Sequence, residues 1–243
     1  DGKIFWFENN GQGIFNSNLI ALNVSNAGAV SCEDLDEDGD FDVIITSTSN
    51  ISWFENLDGS GNFGGSQLIS TTPNGPFYIN LADINNDSHI DIVSAIYNEN
   101  KLVWYENING EGVFSSEKII SSSVNSPLKI NTVDIDGDED VDVFFTSLVN
   151  NTVSWFENLT GKGTFGPEQI ISTTNILGID MFFSDLDGDN DFDLIAADQS
   201  NDKFIWFENL DGAGSFGNEN VIKMNANAAQ SVHAIDVDQD GDD

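Results

Sequence analysis

Asp34-Leu35-Asp36-Glu37-Asp38-Gly39-Asp40-Phe41-Asp42 puts carboxylates at positions one, three, five and nine of a nine-residue stretch. Gly39 follows the third of these, and the apolar β-branched run Val43-Ile44-Ile45 begins directly afterwards. Alternate acidic side chains on a tightly turning backbone can bring their oxygens to one point. Such a point suits a hard cation that takes six to eight oxygen ligands, Ca²⁺ above all. Without a cation the same carboxylates repel one another. A single copy would read equally well as a solvated acidic turn.

The pattern returns. Asp83, Asn85, Asp87 and Asp91 form a second copy, Asp134, Asp136, Asp138 and Asp142 a third, and Asp185, Asp187, Asp189 and Asp193 a fourth. A fifth opens at Asp236, Asp238 and Asp240, and the sequence ends at Asp243, before a ninth position. The openings stand 49, 51, 51 and 51 residues apart. A near-constant period of this length marks a repeat protein. It also favours metal binding over a chance acidic turn.

The elements that must position these loops follow one order in every period. A short alternating run leads in, as in Tyr78-Ile79-Asn80-Leu81-Ala82 or Ser231-Val232-His233-Ala234-Ile235. After the loop comes a run rich in Val, Ile and Phe, then an aromatic strand such as Ser52-Trp53-Phe54-Glu55-Asn56 or Val103-Trp104-Tyr105-Glu106-Asn107. Phe5-Trp6-Phe7-Glu8-Asn9 is an earlier copy of that strand. A Gly-rich turn (Asp58-Gly59-Ser60-Gly61-Asn62-Phe63-Gly64 is one) reverses the chain, and a run such as Gln67-Leu68-Ile69-Ser70 closes the unit.

No window shows sustained helical periodicity, and β-branched and aromatic residues dominate, so each unit reads as four strands. Four antiparallel strands in roughly 50 residues is the size of a propeller blade. One such sheet cannot bury both faces alone, so blades must stack, with the periodic Trp and Phe filling the space between them. The predicted architecture is an all-β propeller. It has a half blade at 1–27, blades at 28–76, 77–127, 128–178 and 179–229, and the start of another at 230–243.

Charge excludes several partners. Against 42 acidic residues stand 7 basic ones, all lysine, for a formal net charge of −35. Nucleic acid and anionic membrane surfaces both need clustered cations, so neither is an expected partner. Cys32 is the only cysteine, which rules out an intrachain disulfide. No signal peptide and no apolar run of bilayer length is visible. Calcium is plentiful outside cells and scarce in the cytosol, so several calcium loops point to an exported or cell-surface protein.

The D-x-D-x-D-G-x-x-D loop between two strands, together with the Phe-Gly turn, resembles the FG-GAP/VCBS repeat. Repeats of that family build calcium-binding β-propellers in integrin α subunits, some fungal lectins and many exported bacterial proteins. The resemblance implies calcium ligation by the side chains at one, three, five and nine of each loop. It also implies a backbone carbonyl from position seven, which is Asp40, His89, Asp140, Asp191 or Asp242. Position six wants a residue tolerant of left-handed φ; Gly39, Gly241 and Asn190 suit it better than Ser88 and Glu139. On that basis the first and fourth loops are the strongest sites. The EF-hand, a rival for such loops, needs a Glu at position twelve between helices. Ile45, Phe145 and Ala196 stand there instead.

Other chemistries find little support. No nucleophile elbow, phosphate loop, HExxH or CxxC occurs. His89 and His233 have no Ser, Cys or second His at suggestive spacing. The Trp residues read as packing between blades rather than as sugar platforms. The Glu-Asn pair closing each aromatic strand reads as a local strand cap. The expected function is a calcium-stabilised, non-catalytic recognition or adhesion module that binds a glycan or a protein. Two alternatives are the scaffold of a polysaccharide-degrading enzyme and a purely architectural segment. An enzyme would need clustered His, Tyr or Lys breaking the pattern of a blade. The terminal halves could join as a fifth blade, or the repeats could belong to a longer array, such as the seven-bladed ring common in the family; the longer array is preferred.

Overall fold

The Val-, Ile- and Phe-rich runs become the central strands of four sheets, and both faces of these strands are covered. The structure is a computed structural model that describes residues 2–71, 73–172 and 178–236. A two-stranded ribbon comes first, β1 (Lys3–Asn9) with β2 (Phe15–Leu22). The first four-stranded sheet holds β3 (Val30–Glu33), β4 (Asp42–Thr46), β5 (Ile51–Phe54) and β6 (Gln67–Ser70). The second holds β7 (Pro76–Ala82), β8 (Asp91–Ile96), β9 (Lys101–Tyr105) and β10 (Lys118–Ser121). In the third are β11 (Pro127–Val133), β12 (Asp142–Ser147), β13 (Thr152–Phe156) and β14 (Gln169–Ser172). The fourth contains β15 (Gly178–Ser184), β16 (Asp193–Asp198), β17 (Lys203–Phe207) and β18 (Asn220–Met224).

Each sheet is an antiparallel meander in chain order. Its acidic loop joins the first strand to the second, as the repeat predicts. Every residue of β4, β8, β12 and β16 is buried. A strand covered on both faces reads as a continuous apolar run rather than an alternating one, which matches Val43-Ile44-Ile45 and Ile92-Val93. The cover is the neighbouring sheet. One core joins Trp53 and Ile44 to Ile92, Val103 and Tyr105. A second joins Trp104 and Val93 to Val143, Phe145 and Phe156. A third joins Trp155 and Phe144 to Leu194, Ile205 and Phe207. The ribbon packs on the first sheet through Ile4 and Ile20 against Val43, Ile45 and Phe54.

The first strands β3, β7, β11 and β15 are successive neighbours along one edge of this stack. Residues 230–236 depart from expectation. The run Ser231 to Ile235 reads as a strand in sequence, but among the described residues it belongs to no strand and lies against β15 through Asp180 and Phe182. Among the described residues no sheet joins the two ends of the stack.

Candidate metal centres

The acidic loops are wound by their own carboxylates. At position one, Asp34 accepts the Gly39 N–H, Asp83 the Asp87 and Ser88 N–H groups, Asp134 those of Gly137 and Glu139, and Asp185 those of Gly188, Asp189 and Asn190. At position five, Asp38, Asp87, Asp138 and Asp189 each accept the N–H two residues on. Such turns need a left-handed backbone, and position six supplies it in all four loops: Gly39, Ser88, Glu139 and Asn190 have φ of 95°, 74°, 71° and 73°. Position four does so too, through Glu37, Asn86, Gly137 and Gly188. That second requirement was legible, since three of these four residues are Asn or Gly, the types that enter this region most readily.

Position nine is the buried anchor. Asp42, Asp91, Asp142 and Asp193 are almost fully buried. In each, one oxygen accepts the N–H of loop position two and the other accepts the N–H of the Asn that follows the aromatic strand. Burial disfavours the charged form and outweighs these two hydrogen bonds. Asp42 is pushed up to about 6, and Asp91 and Asp142 to about 7. Burial also raises Asp36 and Asp136, aided by the charges of Asp38 and Asp138.

Three loops gather carboxylate oxygens within 4.8 Å of one another: Asp34, Asp36 and Asp38; Asp134, Asp136 and Asp142; and Asp185, Asp187 and Asp193. In the first loop, Asp34 Oδ1 and Asp36 Oδ1 are buried with no hydrogen-bond partner. Buried oxygens of this kind are costly unless a donor or a cation meets them. The first, third and fourth loops therefore fit a hard divalent ion, by oxygen donor set and by convergence. An ion held by such a group of oxygens would fix the turn.

Comparison with known proteins agrees with this arrangement. The FG-GAP-like repeat profile matches residues 34–94, 83–145, 134–196 and 185–243, so that each match begins on an acidic loop and ends in the second strand of the next sheet, or at Asp243. The chain belongs to the FG-GAP-like repeat family. No curated protein matches it. Among solved structures it is similar to an Agrocybe aegerita lectin that recognises non-reducing terminal N-acetylglucosamine. There the TM-score is 0.67 and the identity 19%, over 93% of this chain and 62% of that one. It is also similar to the V. cholerae biofilm matrix protein Bap1, with TM-score 0.50 and identity 19% over 95% of this chain and 40% of that one. The chain thus spans less than two thirds of either. At these identities the likeness concerns the fold alone, which is β-propeller-like.

Within this FG-GAP-like chain the second loop stands apart. Asn85 replaces an acid, and its side-chain amide donates to Asp87 Oδ2 at 2.9 Å and to Glu106 Oε1 at 3.0 Å. Lys162 Nζ, from the turn of the next sheet, donates to the Asn85 carbonyl at 2.7 Å, and Lys118 pairs with Glu106 at 2.5 Å. Two of the seven ammonium groups thus stand beside the second loop, whereas Gln67 and Gln169 hold the place of Lys118 beside Glu55 and Glu157 in the first and third repeats. Asp83, Asp87 and Asp91 do not converge as a group of three in the way the other loops do.

Position seven was expected to offer only its carbonyl. Its side chain has a separate place, against the first glycine of the Gly-rich turn: Asp40 on Gly59, His89 on Gly110, Asp140 on Gly161 and Asp191 on Gly212. From there two of these residues meet the preceding loop, His89 through the Glu37 carboxylate and Asp140 through the Asn86 amide at 2.6 Å. Hydrogen bonding to Glu37 raises the His89 pKa. In the fifth loop Asp236 lies within the described residues, whereas Asp238, Asp240 and Asp242 lie outside them.

The Asn that closes each aromatic strand does more than the expected local cap. The Asn56 and Asn209 side-chain oxygens accept the Gly61 and Gly214 N–H groups at 3.1 and 3.0 Å, and the amide has a second, longer-range role. Asn107, Asn158 and Asn209 are buried, and each side-chain amide reaches the preceding sheet, donating to the position-two carbonyl of its acidic loop: Leu35, Ile84 and Ile135 respectively, at 2.8 to 3.0 Å. The periodic recurrence of Glu-Asn after the aromatics was the available signal.

Proposed function

We propose that this chain is a calcium-stabilised, non-catalytic β-propeller recognition module of an exported or cell-surface protein. It binds a glycan or a protein partner. Its four complete sheets are blades of a longer array, and its ions sit in the first, third and fourth loops. In the second loop, the ammonium groups of Lys162 and Lys118 and the N–H donors of the neutral Asn85 amide stand in place of an ion. One observation carries the calcium reading: the buried, partnerless oxygens Asp34 Oδ1 and Asp36 Oδ1, in a loop whose acids converge and which recurs. Recognition rests on the shared fold with a lectin and a biofilm matrix protein. Export rests on where calcium is abundant. No helix among the described residues is long and apolar enough to cross a membrane.

Chelation with EDTA tests the calcium reading. Saturation at a hundredfold excess over Kd stabilises the folded state by about 2.7 kcal/mol per site, and a domain of this size shifts by roughly 2–4 °C per kcal/mol. Removing ions from three loops should therefore lower the melting temperature by more than about ten degrees. An unchanged melt removes structural calcium. A glycan array tests recognition.

A further inference from the structure

Most strand positions in this chain keep their residue class from one repeat to the next, but those of one register in the first strand do not. Tyr78, Lys129, Asp180 and Ser231 are equivalent by period, yet they are an aromatic, a cation, an anion and a hydroxyl. Two positions on, Asn80, Asn131, Phe182 and His233 differ as well, while Ile79, Ile130, Met181 and Val232 between them stay apolar. Alternation along a strand puts residues i and i+2 on one face. Both varied positions therefore share a face of β7, β11 and β15, while Ile79, Ile130 and Met181 between them pack into the cores joining successive sheets, as the Tyr78 ring does in part.

β7, β11 and β15 lie side by side, and residues 231–233 lie against β15, so residues from four repeats assemble into two rows. In one, Lys129 Nζ is 2.8 Å from Asp180 Oδ1 and 5.2 Å from the centre of the Tyr78 ring. Ser231 Oγ and the Val232 N–H donate to Asp180 Oδ2 at 2.7 and 3.3 Å. In the other, Asn80 Nδ2 donates to Asn131 Oδ1 at 2.9 Å, and the rings of Phe182 and His233 meet edge to face at 4.1 Å. Together the rows, with the apolar residues between them, line a groove of about 360 Å³, within the size range of small-ligand sites. Stacking alone does not require this variety. Identical sheets could carry identical inner edges, just as they carry near-identical acidic loops and aromatic strands.

We propose that this groove is a saccharide-binding site, in which Asp180, Lys129 and Asn131 meet hydroxyl groups and the Phe182–His233 pair takes an apolar face of the sugar ring. The inference rests on the recognition reading above and gives it a place and a ligand class. A hydroxyl both donates and accepts, so it is matched by a carboxylate and an ammonium held 2.8 Å apart. The pair neutralises itself, which suits an uncharged ligand. An anion would approach against the net charge of −35, and a cation would have to displace Lys129 from Asp180. An apolar body with a few convergent polar groups is the usual make-up of a small-molecule site.

The test is a titration of the ¹⁵N-labelled chain, in calcium, with N-acetylglucosamine, mannose and galactose as free sugars, followed by amide shifts. Lys129→Gln and His233→Ala are run beside it, with thermal melts to verify folding; His233 is exposed and its loss leaves the core intact. The proposal expects shifts at Lys129, Asn131, Asp180 and His233, and at least tenfold weaker binding in both variants. Sugar binding with shifts elsewhere and unchanged affinity in the variants overturns this site but leaves recognition standing. No shift with any sugar overturns the site and the glycan arm of the recognition reading together. Should Lys129→Gln fail to fold, His233→Ala decides alone.

Discussion

The side-chain amide of Asn158 donates to the carbonyl of Ile84 at 2.8 Å, across 74 positions of sequence and from one sheet to the acidic loop of the sheet before it. The backbone N–H of the same Asn158 donates to Asp142, the buried anchor of its own loop, at 2.9 Å. One residue thus ties two successive loops together. Asn158→Ala keeps the backbone bond and removes the crossing one, leaving a buried carbonyl without that donor. The expected cost is about 1–3 kcal/mol, read as a lower midpoint in urea denaturation. A change within error would mean that the crossing bond is replaced by water.

The loops should not be equal in metal binding. By isothermal titration of calcium into the metal-free chain, Asp36→Asn should remove one bound equivalent, because Asp36 belongs to a converging group and carries a partnerless oxygen. Asp87→Asn should leave the count unchanged. A lost equivalent in Asp87→Asn would show that the second loop takes an ion despite Lys162 and Lys118.

Stability of the metal-free chain should rise on mild acidification. Burial raises the native pKa of Asp42 to about 6 and those of Asp91 and Asp142 to about 7. Their unfolded values lie near 4, so the native state binds more protons between about pH 4 and pH 7, and unfolding free energy falls as pH rises through that window. In EDTA, the melting temperature at pH 5 should exceed that at pH 8. In calcium the order should reverse, since protons compete with the ion for the same carboxylates. The same order in both buffers would contradict the assignment.

Packing between sheets should be intolerant of a single methyl group. A Cβ at Gly163, where φ is +68°, would come within 2.3 Å of the Trp104 ring of the preceding sheet; Gly61, Gly112 and Gly214 make the same approach to Trp6, Trp53 and Trp155. Gly163→Ala combines that clash with left-handed strain and should cost about 2 kcal/mol or more. Gly137→Ala is the control. Its Cβ would meet nothing within 4 Å, so only the backbone strain remains, about 1–2 kcal/mol.

Much of this was readable from residues alone. The period of the acidic loops, the continuous apolar runs behind them and the Trp-aromatic strands specify four strands per unit, and the sheets follow. What escaped was whatever depends on a neighbouring sheet. Asn158 reads as a strand-end polar residue because its acceptor lies 74 positions away, and Lys162 reads as an ordinary turn lysine until Asn85 appears beside it. The strand expected over Ser231 to Ile235 is not among the sheets of the described residues.

Local chemistry by itself determined the repeat, the oxygen-rich turns and the all-β class, because alternation, turn glycines and carboxylate spacing act over a few bonds. Only the stacking of sheets decided which oxygens remain partnerless, which loop receives lysines instead of a converging acid trio, and which residues from four separate repeats line one groove. Those outcomes turn on distances between segments that lie about fifty residues apart in the chain, and no local pattern carries that information.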